Sequence, residues 1–151
     1  MKLAEALQER ADLQRNIENL RERLENVMLV QEGEKPVEDP AELLTNLEEA
    51  VSRLEYLIAA INHTNDSTVI REMTLTQIIA KKDTLNLKLS VYKGLVAEAG
   101  CNTNRARGTE IKVLPTVNVA LMQKKADGIA KEIRLLDNLL QETNWTCELK
   151  E

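Results

Sequence analysis

Four stretches of the chain carry an apolar residue at alternating steps of three and four residues. This spacing places the apolar side chains on one stripe of an α-helix that packs lengthwise against other helices. Four such stripes in 151 residues predict an all-α fold, an antiparallel up-down-up-down four-helix bundle with coiled-coil-like packing. The stripes consist of Leu3, Ala6, Arg10, Leu13, Ile17, Leu20, Leu24 and Val27; Leu44, Leu47, Val51, Leu54, Ile58 and Ile61; Leu75, Ile78, Lys82, Leu85, Leu89, Tyr92 and Val96; and Val119, Met122, Ala126, Ile129, Ile133, Leu136 and Leu140.

Capping residues separate these stripes. Asp39 before Pro40 is typical of a helix start, because the Asp side chain accepts from the first amides and Pro fits the first turn. Thr74 and Gln77 form the pattern of a capping box, and Thr116 is predicted to cap the last helix. We therefore predict one domain, 1–151, with helices at about 3–30, 40–62, 75–98 and 117–144.

The connections between the helices fix which segments meet. Short connections favour antiparallel neighbours, so the N-terminus, loop 62–73 and the tail after Asn144 are expected at one end of the bundle. The connection before the last helix is longer. Within it, residues 110–114 alternate β-branched and polar side chains and are predicted to form an extended segment or a short strand.

Composition restricts the function. The net charge of −5 argues against a sequence-independent grip on nucleic acid, which requires a basic surface. The charged N-terminal stretch lacks the apolar core of an export signal, and no apolar run approaches the roughly 20 residues of a membrane span. We expect a cytoplasmic protein that neither enters a membrane nor binds nucleic acid. Reduced thiols are then expected at Cys101 and Cys147.

Two basic residues interrupt the apolar stripes. Arg10 and Lys82 occupy positions where the pattern requires Leu or Ile, and each lies about two turns from the same end of the predicted bundle. An unpaired charge in a helical core costs several kcal/mol, so acidic residues at the same height should join them in one polar layer. Three interpretations stay open: a device that fixes helix register, side chains that reach solvent, or a small-ligand cavity. The acidic candidates are Glu55, Asp83 and Asp137.

A second candidate site lies in the loops at the other end. Basic residues before the last helix face acidic residues of the first loop in the predicted topology. Exposed ion pairs between the loops explain this pattern, at roughly 0–1 kcal/mol each, and so does an anion or partner site. The basic residues are Arg105, Arg107 and Lys112, and the acidic ones are Glu32, Glu34, Glu38 and Asp39.

Catalytic patterns are missing from the sequence. The single histidine, His63, lacks the Glu three residues before it that a bundle di-iron site requires. No zinc, phosphate-loop or dinucleotide motif occurs, so we expect no cofactor and no metal. The sequence favours a non-enzymatic protein that acts through self-association or a protein partner. The alternative is a small-molecule or anion binder, conceivably an enzyme, that uses the polar layer or loop 105–112.

The last helix also predicts the fate of the cysteines. A continuous helix of about 28 residues spans roughly 42 Å and separates Cys101 from Cys147. A disulfide requires Cα atoms within about 7 Å of each other. No bond between these two cysteines is expected within one chain.

Several short segments resemble a small family of uncharacterised bacterial helical proteins that often carry the label septicolysin. They include Lys2–Leu7, Asn62–Asn65, Lys81–Asp83 and Asn144–Thr146, and the resemblance covers nearly the whole chain. It implies a compact helical domain and no particular chemistry. The matching positions include Arg10, Lys82, Asp83 and Asp137.

Overall fold

The computed structural model describes residues 1–100 and 111–151. Within them the chain forms four α-helices and one two-stranded hairpin, so the predicted all-α fold is confirmed. No helix among these residues is long and apolar enough to cross a membrane. The elements are α1 (Leu3–Val27), α2 (Pro40–Ser67), β1 (Val69–Ile70), β2 (Met73–Thr74), α3 (Leu75–Ala99) and α4 (Val119–Thr146).

The predicted helix starts hold better than the predicted ends. The Asp39 side chain accepts from the Ala41 amide at 3.0 Å, and Thr74 and Gln77 form the predicted capping box. Thr116, however, is not the cap of α4. That helix begins two residues later than predicted, and Asn118 Oδ1 accepts from the Leu121 amide at 3.1 Å.

Two segments depart from the predicted loops. Helix α2 continues to Ser67, five residues beyond its predicted end, and a hairpin follows it directly. Arg71 and Glu72 join the two strands with φ of +49° and +69°, the left-handed region that a tight two-residue turn requires. Of the predicted extended segment 110–114, residues 111–114 are described: they are not helical and form no named strand, although Lys112 takes part in a single β-bridge, and residue 110 lies outside the described part of the chain.

The chain divides into two compact units, and the first comprises 1–69 and 143–151. Its centre is the pair α1 and α2. Leu20, Leu24 and Val27 at the end of α1 form a buried cluster with Leu43 at the beginning of α2, and Leu47 packs against it. The end of one helix therefore meets the beginning of the next, which is the predicted antiparallel arrangement.

A terminal clasp of residues 1–3 and 147–150 closes this unit. Lys2 and Glu148 pair as an antiparallel bridge, with the Leu3 amide donating to Cys147 O at 3.0 Å. The hydroxyl of Thr64, at the end of α2, accepts from the Lys150 amide at 2.9 Å. The predicted meeting of the N-terminus, the end of α2 and the C-terminal tail is confirmed.

The second unit comprises residues 70–142 and contains α3 and most of α4. Helix α3 buries Leu75 and Ile78 near its start, and its later apolar residues are half-buried or exposed. Helix α4 buries Ala126, Ile129 and Leu140. Because the chain forms two units, the sequence-based assignment of one domain stays a prediction.

Candidate functional site

The clearest part of the predicted polar layer lies in the second unit. Lys82 Nζ donates to Asp137 Oδ1 at 2.7 Å, which joins α3 to α4 at the position where the apolar stripe of α3 is interrupted. The Lys82 side chain is 26% exposed and that of Asp137 is 44% exposed. One turn away along α4, Lys81 pairs with Glu132 at 2.9 Å. Helices α3 and α4 are therefore joined by a half-buried ion pair whose Asp137 side is open to water.

The other members of the predicted layer are placed differently. Glu55 and Asp83 are exposed on α2 and α3. Arg10 is half-buried in the first unit, and its Nε is a buried donor with no hydrogen-bond partner among the described residues. Whether Arg10 and Glu55 share a layer with Lys82 stays a prediction.

The predicted basic loop is only partly described. Arg105 and Arg107 lie outside the described residues, and Lys112 is exposed. The acidic loop has a partner that the sequence did not suggest. Glu38 binds Arg23 of α1 through both carboxylate oxygens, with Nε donating to Oε2 at 3.1 Å. Glu38 is thus paired within the first unit, and the predicted meeting of the acidic loop with the basic loop stays a prediction.

An open polar groove of about 400 Å³ lies between α1 and α2. Two arginines line it, and each already binds a carboxylate. Arg53 donates to Glu9 through Nε at 2.7 Å and through a terminal nitrogen at 2.9 Å, while Arg23 holds Glu38. Hydrogen bonds from the guanidinium groups lower the pKa of both carboxyls and raise the pKa of both arginines. The groove therefore has no free arginine to attract an anion.

Charged groups also concentrate at the terminal clasp. The Glu148 carboxylate pairs with Lys2 Nζ at 2.5 Å and with the N-terminal ammonium at 3.2 Å, and hydrogen bonds from these two groups lower the pKa of Glu148. The guanidinium group of Arg53 lies over the ring of Tyr56, with its Cζ atom 5.2 Å from the ring centroid. The Tyr56 hydroxyl donates to Glu151 at 2.9 Å, a bond that raises the pKa of the phenol.

Cys147 is a free thiol within the same clasp. Its sulfur lies 3.6 Å from the hydroxyl oxygen of Thr68. Cys101 lies outside the described residues, so the predicted absence of a disulfide between the two cysteines stays a prediction. In the two described stretches no group of three or more His, Cys, Asp or Glu side chains is arranged to hold a metal ion.

A row of apolar side chains on α2 lies open to solvent. Leu44, Val51 and Ile58 follow one another at steps of seven residues and are 48%, 43% and 40% exposed. The buried stripe of the same helix runs beside them through Leu43 and Leu57. Half of the apolar stripe predicted for α2 is therefore exposed in the part of the chain that the structure describes.

Helices of the second unit have similar rows. On α4, Leu121 and Leu135 are both more than half exposed and stand fourteen residues apart. On α3, Leu87, Val91 and Leu95 are exposed at steps of four residues. Single exposed leucines are ordinary on protein surfaces, but rows at helical spacing are typical of helices that pack against a partner.

Comparison with known proteins gives the family. A model of a family of unknown function, DUF6847, matches residues 10–149. The chain belongs to the DUF6847 family. This DUF6847 chain is 40% identical to a protein whose crystal structure is described as that of a functionally unknown conserved protein from Corynebacterium diphtheriae. The similarity covers 99% of each chain with a TM-score of 0.87. No curated protein matches the sequence.

These similarities give the DUF6847 protein a family and a fold, and neither description names an activity. The likeness to proteins labelled septicolysin stays a prediction. Sequence reasoning identified Lys82 and Asp137 but missed Arg53 with its partner Glu9, and missed Arg23 as the partner of Glu38. No sequence signal marks those pairs, because exposed charges occur on every outer helix face.

Proposed function

We propose that this DUF6847 protein is a non-enzymatic helical protein that acts by self-association. One observation carries the proposal: Leu44, Val51 and Ile58 form an apolar row at heptad spacing on α2 and are 40–48% exposed in the structure as described, residues 1–100 and 111–151. Burying such a row on a partner helix removes apolar surface from water and favours association.

The charged groups favour association over ligand binding. Lys82 is paired with Asp137, and Arg53 and Arg23 of the groove each bind a carboxylate. A ligand that entered the groove or approached Lys82 would have to displace these partners first. We place the association in the cytoplasm, where the thiols of Cys101 and Cys147 would stay reduced.

Light scattering at micromolar concentration tests the proposal. We expect a mass that is a multiple of 17.1 kDa for the wild-type protein. Val51→Lys places a charge in the middle of the α2 row and should shift the mass towards that of one chain. The matched control is Ser90→Lys at an exposed position of α3, which should leave the mass unchanged. A wild-type mass of one chain, or an equal effect of both variants, would contradict the proposal.

A further inference from the structure

The exposed face of α2 alternates apolar and acidic residues in a regular order. Leu44, Glu48, Val51, Glu55 and Ile58 follow one another at steps of four, three, four and three residues, so they lie on one side of the helix. All five are exposed. At 1.5 Å per residue, this face is about 21 Å long.

The exposed face of α4 has the complementary composition. Leu121, Lys124, Gly128, Lys131 and Leu135 follow one another at steps of three, four, three and four residues, and all five are exposed. When α4 is followed backwards from Leu135, the steps become four, three, four and three. The two faces therefore have the same spacing only when the helices run in opposite directions.

From this match we propose that α2 of one copy packs antiparallel against α4 of a second copy. The inference rests on the proposed self-association and names its surface. In this register Leu44 lies opposite Leu135 and Ile58 lies opposite Leu121. Between them, Glu48 lies opposite Lys131 and Glu55 opposite Lys124, and Val51 lies opposite Gly128. Each apolar side chain of α2 therefore lies opposite a leucine or the glycine of α4, and each glutamate lies opposite a lysine.

The parallel alternative is electrostatically worse. With Leu44 opposite Leu121, a parallel register keeps the apolar pairs and brings Glu48 opposite Lys125, but it also brings Glu55 opposite Glu132, which is already paired with Lys81. One of its two charge pairs is therefore repulsive, whereas both pairs of the antiparallel register are attractive. Like charges in direct opposition disfavour a helix pair, and opposite charges at flanking positions set its orientation. Charge complementarity therefore selects the antiparallel register.

Gly128 leaves room for a close partner on the exposed face of α4, as the equally open Gly94 does on α3. A glycine inside a helix costs about 1 kcal/mol relative to alanine. Nothing within the described chain needs it, because a Cβ added at Gly128 would meet no atom within 4 Å. Glycine on a helix face lets another backbone approach closely, and in the proposed register it accommodates Val51 of the second copy.

The four charged residues of the two faces are available for this contact. Glu48, Glu55, Lys124 and Lys131 have no ion-pair partner among the residues that the structure describes. This distinguishes them from the two arginines of the groove, which are paired within the chain. A second copy is the partner whose charges match theirs.

Charge reversal tests the register. Lys124→Glu with Lys131→Glu places acid opposite acid, and we expect the dissociation constant of the complex to rise at least about tenfold. Glu48→Lys with Glu55→Lys should weaken association by a similar factor. Mixing these two double variants brings each reversed face opposite its complement and should restore association, as should the quadruple variant that carries all four changes.

A matched control separates this surface from a general charge effect. Lys88→Glu with Lys93→Glu makes the same change of charge on exposed positions of α3 and should leave the dissociation constant unchanged. Circular dichroism confirms that each variant is helical. If the control weakens association equally, or the mixture does not recover it, the proposed register is wrong while self-association stands. If the wild-type protein is monomeric at all concentrations, both the register and self-association are wrong.

Cross-linking gives a second measurement that does not depend on charge. In a background of Cys101→Ser and Cys147→Ser, a Val51→Cys variant is mixed with a Gly128→Cys variant and mildly oxidised. We expect a disulfide between the two different chains, since opposed positions can bring the Cα atoms within about 7 Å. A mixture of Val51→Cys with Val91→Cys is the control. Equal cross-linking of both mixtures would contradict the register.

Discussion

The turn between β1 and β2 offers a sharp test of backbone strain. Arg71 and Glu72 adopt φ of +49° and +69°, and an L-residue in this region costs roughly 1–2 kcal/mol relative to its favoured conformations. Both side chains are exposed, and neither forms an ion pair or a side-chain hydrogen bond with the residues that the structure describes. Glycine removes the steric cost but adds about 0.5–1 kcal/mol of chain entropy to the unfolded state. Glu72→Gly should therefore increase the free energy of unfolding by about 0.5–1 kcal/mol.

Gly33 is the matched control for this change. It has φ of +86°, and a Cβ added there would meet no atom within 4 Å, so Gly33→Ala introduces backbone strain without a clash. We expect it to lower the free energy of unfolding by about 1 kcal/mol. Urea denaturation at one fixed protein concentration measures both variants, because association would otherwise alter the apparent stability. If Glu72→Gly destabilises the protein as much as Gly33→Ala does, the left-handed turn is wrong.

Three further predictions concern charged and polar side chains. Arg10→Met keeps the aliphatic stem and removes a buried donor that has no partner among the described residues. The free energy of unfolding, measured by urea denaturation, should therefore rise by about 1–2 kcal/mol. A fall of similar size would mean that the guanidinium has a stabilising contact. Because the bond to Glu151 raises the pKa of Tyr56, absorbance titration should show one tyrosine ionising above its usual range, and Glu151→Gln should return it towards normal. Arg53 lowers the pKa of Glu9, so this pair stabilises the fold above the ordinary carboxyl pKa and loses its effect as pH falls. Glu9→Gln should therefore make the free energy of unfolding less dependent on pH in the acidic range. An unchanged pH dependence would exclude the pair as its source.

The sequence predicted those parts of the fold that depend on local chemistry. Heptad spacing located all four helices, and Asp39 and Thr74 marked helix starts because capping involves residues only two or three positions apart. The end of α2 could not be read in this way. Its last turns contain polar residues that resemble a loop, but Thr64 is buried there by the chain terminus, where its hydroxyl accepts from the Lys150 amide.

The hairpin after α2 has no sequence signal either. Arg71 and Glu72 are poor choices for a turn that favours Asn and Gly, so tertiary context determines it. For the site, the interruption at Lys82 was informative because a cation in an apolar stripe needs a partner, and Asp137 is that partner. The pairing of Arg53 with Glu9 was unpredictable, since many exposed charges compete for each other at similar energies.

Sedimentation equilibrium over a range of protein concentrations tests the central claim of self-association most directly. The exposed apolar row of α2 predicts that the average mass rises with concentration towards a whole multiple of 17.1 kDa. The proposed pairing of α2 with α4 further predicts that added salt weakens this association, because salt screens the ion pairs at its edge. A mass of 17.1 kDa at every concentration would contradict the account.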